Sequence, residues 1–197
     1  MERRLRCTII GLLATGGCHA ATLSPTPRGL DSPTAPYGLA GQRTVADLVE
    51  RFGGVVVDHD AQRRAAMTVH LLRTANESLG RAPRGEFVLL GSTRMEAFSL
   101  PDGRIFMTVG LYRRLEHESL LAAVMAHELA HVARGDGLRP APRTSAARLS
   151  RERDTDALAA CLLEAADLPA SALIELLRMI ESEHPEAQCP SRIAALQ

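Results

Sequence analysis

The sequence predicts a mainly helical α+β domain that carries a small antiparallel sheet. Three observations support this. Ala and Leu dominate a composition that is 46% apolar but only 3% aromatic, which favours helix over sheet. Apolar residues recur at helical spacing through the stretches 60–79, 120–134, 145–166 and 171–183. Finally, Pro101-Asp102-Gly103 joins two strand-like runs at 95–100 and 104–109. In such a turn proline fixes φ and glycine tolerates φ > 0. A length of 197 residues suits one compact domain plus a non-domain segment.

The chain begins with Arg3, Arg4 and Arg6, then a short apolar run over 7–14, then small residues ending at Cys18. The run is too short to span a bilayer, so residues 1–18 read as a secretory signal. A cysteine after Gly16-Gly17 resembles the lipobox of bacterial lipoproteins, although Thr15 stands where that motif usually carries Leu. Lipidation of Cys18 and ordinary signal cleavage both remain open. His19 is not the Asp that the bacterial sorting rule links to inner-membrane retention. The expected compartment is therefore the periplasm, with an outer-membrane lipid anchor. Cys161 and Cys189 are then the mature cysteines, expected either as a disulfide in that oxidising space or, in the other reading, with Cys161 simply a small buried core residue.

Residues 19–43, rich in Pro, Gly, Ser and Thr, read as a flexible tether. The domain is placed at 44–197. A short helix is expected from Thr44, its N-cap, to Phe52, where Gly53-Gly54 ends it. Residues 60–79 follow as a helix stopping at Gly80, and 86–90 is a first strand before the two flanking the turn. Helix resumes near Gly110. The long helix through 120–134 stops at Gly135, and those over 145–166 and 171–183 are separated by Asp167-Leu168-Pro169. A short helix closes the chain at 191–196. The formal net charge is zero, so nothing suggests nucleic-acid binding, and the many arginines read as solvated helix faces.

The chemistry is concentrated in His127-Glu128-Leu129-Ala130-His131. On a helix, positions i and i+4 share a face, so two imidazoles could hold one zinc ion with Glu128 beside them as general base. A catalytic zinc site needs a third protein ligand. Glu152 and Asp154 both qualify. Glu152 is preferred because Asp156 lies one turn later, where it could fix the tautomer of a ligating imidazole. His59, His70 and His117 read as packed or surface histidines.

These residues extend into a resemblance to the HtpX-type and CAAX-prenyl-protease-type zinc metallopeptidases, most closely the small bacterial periplasmic lipoproteins among them. The stretch 96–111, EAFSLPDGRIFMTVGL, resembles that family's NAFxLPGGxIxVxxGL segment. Residues 127–132 resemble its zinc motif, and Glu152-x-x-x-Asp156 its ExxAD helix. His184-Pro185 followed by Arg192-Ile193 resembles its closing HP…RI signature. The resemblance covers roughly 60–196. It implies a zincin-like fold with one zinc per chain held by His127, His131 and Glu152, and Glu128 as base. It further implies that His184 stabilises the oxyanion or gates the metal, and that Arg192 pairs with an acid near the site. The strand at 105–109 would lie near the cleft and could pair with an extended substrate. The chain departs from the family at Glu96, Asp136 and Thr155, where Asn, His and Ala are common. Ser150-Arg151 also sits at the spacing that fits Asp154 as ligand.

The function expected from all this is a zinc metalloendopeptidase acting on unfolded or extended cell-envelope proteins, misfolded or mislocalised. The rival is a latent, zinc-stabilised chaperone-like module whose proteolysis is vestigial. An intact Glu128 favours the first, because a binding module needs no base beside the metal.

Overall fold

The computed structural model describes residues 45–77, 79, 82, 86–183 and 187–197. The expected signal, tether, Cys18 and Thr44 cap lie outside them, as does His184. Helix α1 (Val45–Arg51) turns its buried Val45, Leu48 and Val49 inward, where they meet Phe52, Phe98 and Phe106 in a small side cluster. Helix α2 (His59–Ala75) starts where the Asp58 carboxylate accepts from the amides of Asp60 and Ala61. It ends four residues short of the expected Leu79. The Asn76 amide there donates to the carbonyls of Leu72 and Leu162, at 2.8 and 3.1 Å, diverting the backbone from a further turn.

Strands β1 (Phe87–Leu90), β2 (Ala97–Ser99) and β3 (Ile105–Thr108) form one sheet in the order β1-β3-β2. The hairpin is as expected: β2 and β3 are antiparallel, and the Gly103 amide bonds the Leu100 carbonyl at 2.9 Å across the turn. The sheet as a whole is mixed rather than antiparallel, because β1 pairs parallel to β3. Strand β3 is therefore central and buried at every position. It has no free edge for a substrate, contrary to the expectation for 105–109. The outer edge of β1 is met by 54–56, where the Val56 amide bonds Leu89 O and the Gly91 amide bonds Gly54 O. The open edge belongs to β2.

The segment leading into β2 is pinned from below. Thr108, fully buried, accepts at Oγ1 from the Glu96 and Leu111 amides, the latter capping helix α3 (Val109–Tyr112). A Cβ at Gly110 would lie 2.0 Å from the Thr93 carbonyl oxygen, so only glycine lets these backbones cross.

Helix α4 (Glu118–Arg134) runs through the core. Ten of its seventeen residues are buried, so it is enclosed rather than amphipathic. Full burial of each leucine, such as Leu121 or Leu129, contributes about 1.5–3 kcal/mol. Gly135, at φ 65°, terminates it in the left-handed conformation, and 136–138 follow as one 3-10 turn. Helix α5 (Ser145–Ala165) begins under the Thr144 cap and packs along α4 through Ala159, Leu162 and Leu163. Helix α6 (Ser171–Glu183) adds Leu173 and Leu176 to the same core, and α7 (Cys189–Ile193) closes the chain against α5 and α6. No helix among the described residues is long and apolar enough to cross a membrane.

Cys161 and Cys189, the expected pair, are not joined to each other in the structure. Cys189 is fully buried on α7, and burial pushes its thiol up. Cys161, on α5, is half-buried.

Candidate metal centre and cleft

Between Leu120 and His131, α4 is buried at every position except His127 and His131. Four residues apart, these two imidazoles leave the core on the same side. Their rings meet edge to face at 4.7 Å, and their Nε2 atoms lie 3.1 Å apart. From α5, Glu152 brings Oε2 to 3.5 Å from His127 Nε2 and Oε1 to 3.9 Å from His131 Nε2. His127, His131 and Glu152 are the one group of three potential ligands that converges among the described residues. Four-coordinate zinc, with Zn–N of about 2.0–2.1 Å, spaces its ligands about 3.3 Å apart. The separations of 3.1, 3.5 and 3.9 Å bracket that value, so the donor set fits zinc. Asp154, the alternative ligand, is outside the cluster. It is largely exposed and pairs with Arg134 at 3.2 Å.

A carboxylate stands behind each imidazole on its Nδ1 side, and the Nε2 atoms face each other. His127 Nδ1 is 3.1 Å from Asp156 Oδ1. Asp156, 1% exposed, is clamped in turn by Arg192, whose Nε and Nη2 donate to its two oxygens at 2.7 Å each. Arg192 Nη2 also reaches Glu152 Oε2 at 3.4 Å. Asp156 thus stands between His127 and Arg192, and Arg192 between Asp156 and Glu152. On His131 the structure adds a partner that sequence reasoning missed: Asp136 Oδ2, 3.0 Å from Nδ1. The same oxygen accepts from Arg134 Nε at 3.2 Å and lies 3.3 Å from the fully buried Thr155 hydroxyl. Asp136 and Thr155 were visible in the sequence only as departures from a family pattern. The available signal was that both depart and that the two meet.

Burial alone would push the His127 imidazole down, but Asp156 and Glu152, with Glu128 beside them, raise it to about 10. Burial would raise Glu152 and Asp156, yet His127 and Arg192 hold both below the usual carboxylate range. A divalent cation bound there would compete with a proton for His127.

Glu128, 5% exposed, has no hydrogen-bond partner for Oε2 among the described residues. A buried carboxylate oxygen left unpaired costs about 1–3 kcal/mol or more, a cost that a role in the site would explain. Two cavities meet at His127 and Glu128 under the open edge of β2 at Ala97 and Phe98. One, of about 460 Å³, is lined by apolar residues including Leu111, Val124, Leu173, Leu177 and Ile180. The other, of about 570 Å³, includes His131, Glu152, Arg139, Arg148 and Arg151. Ser99 Oγ donates to the Glu128 carbonyl at 3.2 Å and holds β2 over α4. The exposed His59, His70 and His117 take no part.

No curated protein sequence matches the chain. Residues 61–150, which contain both histidines and Glu128 but stop just short of Glu152, match Peptidase family M48, so this stretch is similar to a family of metallopeptidases.

Proposed function

We propose that the chain is a zinc-dependent metalloendopeptidase that cleaves extended segments of misfolded or mislocalised cell-envelope proteins. In this reading it works in the periplasm from a lipid anchor at Cys18 in the outer membrane. One observation carries the catalytic part: a buried Glu128, whose Oε2 has no partner among the described residues, lies beside three converging zinc-type ligands where two cavities meet.

Zinc held by His127, His131 and Glu152 would polarise a carbonyl and lower the pKa of water. The chain's own residues supply the rest. The open backbone edge of β2 takes an extended segment as an added strand. The two cavities receive side chains on either side of the bond to be cut. Glu128 takes a proton from the attacking water and returns it to the leaving amine. Asp156 and Asp136 keep both imidazoles aimed. The rival reading, a latent chaperone-like zinc module, gives no reason for the orphaned oxygen of Glu128.

The test is zinc content and casein cleavage by the full chain and by Glu128→Gln. The variant should keep its zinc and lose about 10²–10⁴-fold in cleavage rate, the range expected for a general base. Zinc bound in both proteins with cleavage by neither overturns the enzyme reading.

A further inference from the structure

We infer that the larger cavity is a subsite for acidic residues on the N-terminal side of the cleaved bond, with Arg148 as its principal cation. This deepens the endopeptidase reading and rests on it. Arg148 lies one helical turn before Glu152 on α5, so it shares the face that Glu152 presents to the histidines. It lines the cavity and is the arginine there whose side chain has neither an ion pair nor a hydrogen bond among the described residues, so its guanidinium is available to a ligand. Arg151, beside it, spends Nη2 on the Pro140 carbonyl at 2.9 Å. Arg139 approaches Asp136 Oδ1 at 3.7 Å.

The acids on the same wall, Glu128, Asp136 and Glu152, all lie at its histidine end. Asp136 is engaged through Oδ2 by His131 and Arg134, and Glu152 is turned to the histidine pair and Arg192. This wall therefore offers three guanidinium groups, those of Arg139, Arg148 and Arg151, to whatever lies along β2, and Arg148 is exposed. Positive charge concentrated in a cleft attracts anionic segments and raises their local concentration.

The direction follows from the strand. The apolar cavity touches Met95 and Glu96, ahead of β2, and the arginine-lined one touches Leu100 and Pro101 beyond it. A segment added antiparallel, the slightly more stable pairing, enters past the arginines and leaves past the leucines. Its acidic residues then precede the bond, and a large apolar residue follows it.

The experiment uses the zinc-loaded full chain and fluorogenic peptides with Leu immediately after the bond. They differ only at the second and third residues before it: Glu-Glu, Ala-Ala or Lys-Lys. Expected is kcat/KM in the order Glu, Ala, Lys, with Glu over Lys by about tenfold, the scale of a charge-assisted hydrogen bond. The ratio should shrink as salt rises and invert in Arg148→Glu/Arg151→Glu. Each ratio is taken within one protein, so a partly unstable variant still reports it, and the wild-type ratio needs no variant. Equal rates for all three peptides, or a preference gained only when Glu follows the bond, overturn the subsite while leaving the enzyme reading intact. If no peptide is cleaved, anisotropy with zinc-loaded Glu128→Gln decides separately. Tighter binding of the Glu-Glu peptide than of Lys-Lys supports the subsite, and indifference overturns it.

Discussion

His127 and His131 present the same atom to the same point, yet they are held in opposite ways. His127 is steadied by Asp156 on the neighbouring helix, which is itself locked by Arg192 on α7, 36 residues further along. His131 is steadied by Asp136, five residues away and just past the left-handed Gly135. One arm is a product of tertiary packing, and its ion pair is buried. The other is nearly local and is braced by Arg134 and Thr155. The difference predicts that damage to the first arm unfolds the helix junction, whereas damage to the second loosens the metal and leaves the fold standing.

The largest effect is therefore expected from Asp156→Ala. It strands the Arg192 guanidinium, whose side chain is 8% exposed, and breaking such a buried pair costs about 3–5 kcal/mol. Denaturant unfolding of the metal-free chain measures it. Pairing the change with Arg192→Met should recover much of the loss, because an apolar pair replaces the stranded charge. A single variant as stable as wild type would break the comparison.

How each arm was or was not readable follows from the same contrast. Asp156 is one turn after Glu152 on a periodic helix, and helical spacing alone fixes a shared face. Asp136 follows a helix terminator, where the side-chain direction depends on the backbone turn at Gly135. No spacing rule reaches past that turn. The helices were readable to within a few residues because apolar periodicity and Gly stops are local signals, whereas the Asn76 stop of α2 depends on a carbonyl of α5. The pairing of β1 with β3 was not, since adjacency across a sheet is decided by packing beneath α4. Taking β3 for the substrate edge came from the same blindness: a strand's own residues do not say whether it lies at the centre or the rim.

Asp136→Ala should cost about 10–100-fold in zinc affinity, the usual effect of removing a carboxylate behind a ligating histidine. The metal-free fold should lose only about 1 kcal/mol, near one hydrogen bond. Competition against a chelator gives the first number and denaturant unfolding the second. Asp136→Asn should fall between, because it retains an acceptor oxygen for His131 Nδ1. Thr155→Ala removes a hydroxyl 3.3 Å from Asp136 and 3.5 Å from His131 Nδ1. A loss of about 1 kcal/mol, or about fivefold in zinc affinity, is expected there. A Thr155→Ala loss matching that of Asp136→Ala would mean that the hydroxyl, not the carboxylate, aims His131.

The smallest effect belongs to Asp154→Ala, and it is the one that tests the third ligand. Asp154 makes a largely exposed pair with Arg134, and such pairs contribute about 0–1 kcal/mol. Zinc content should stay at wild-type level, whereas Glu152→Ala should abolish it. The two acids cannot exchange places cheaply. A helix turns about 100° per residue, so Asp154 projects about 200° around α5 from Glu152. Rolling α5 far enough to bring Asp154 to the histidines would carry Asp156 away from His127 and part it from Arg192. If Asp154→Ala lost zinc while Glu152→Ala kept it, the tertiary arm would have to be built from a different α5 face, and the Asp156 result would change with it.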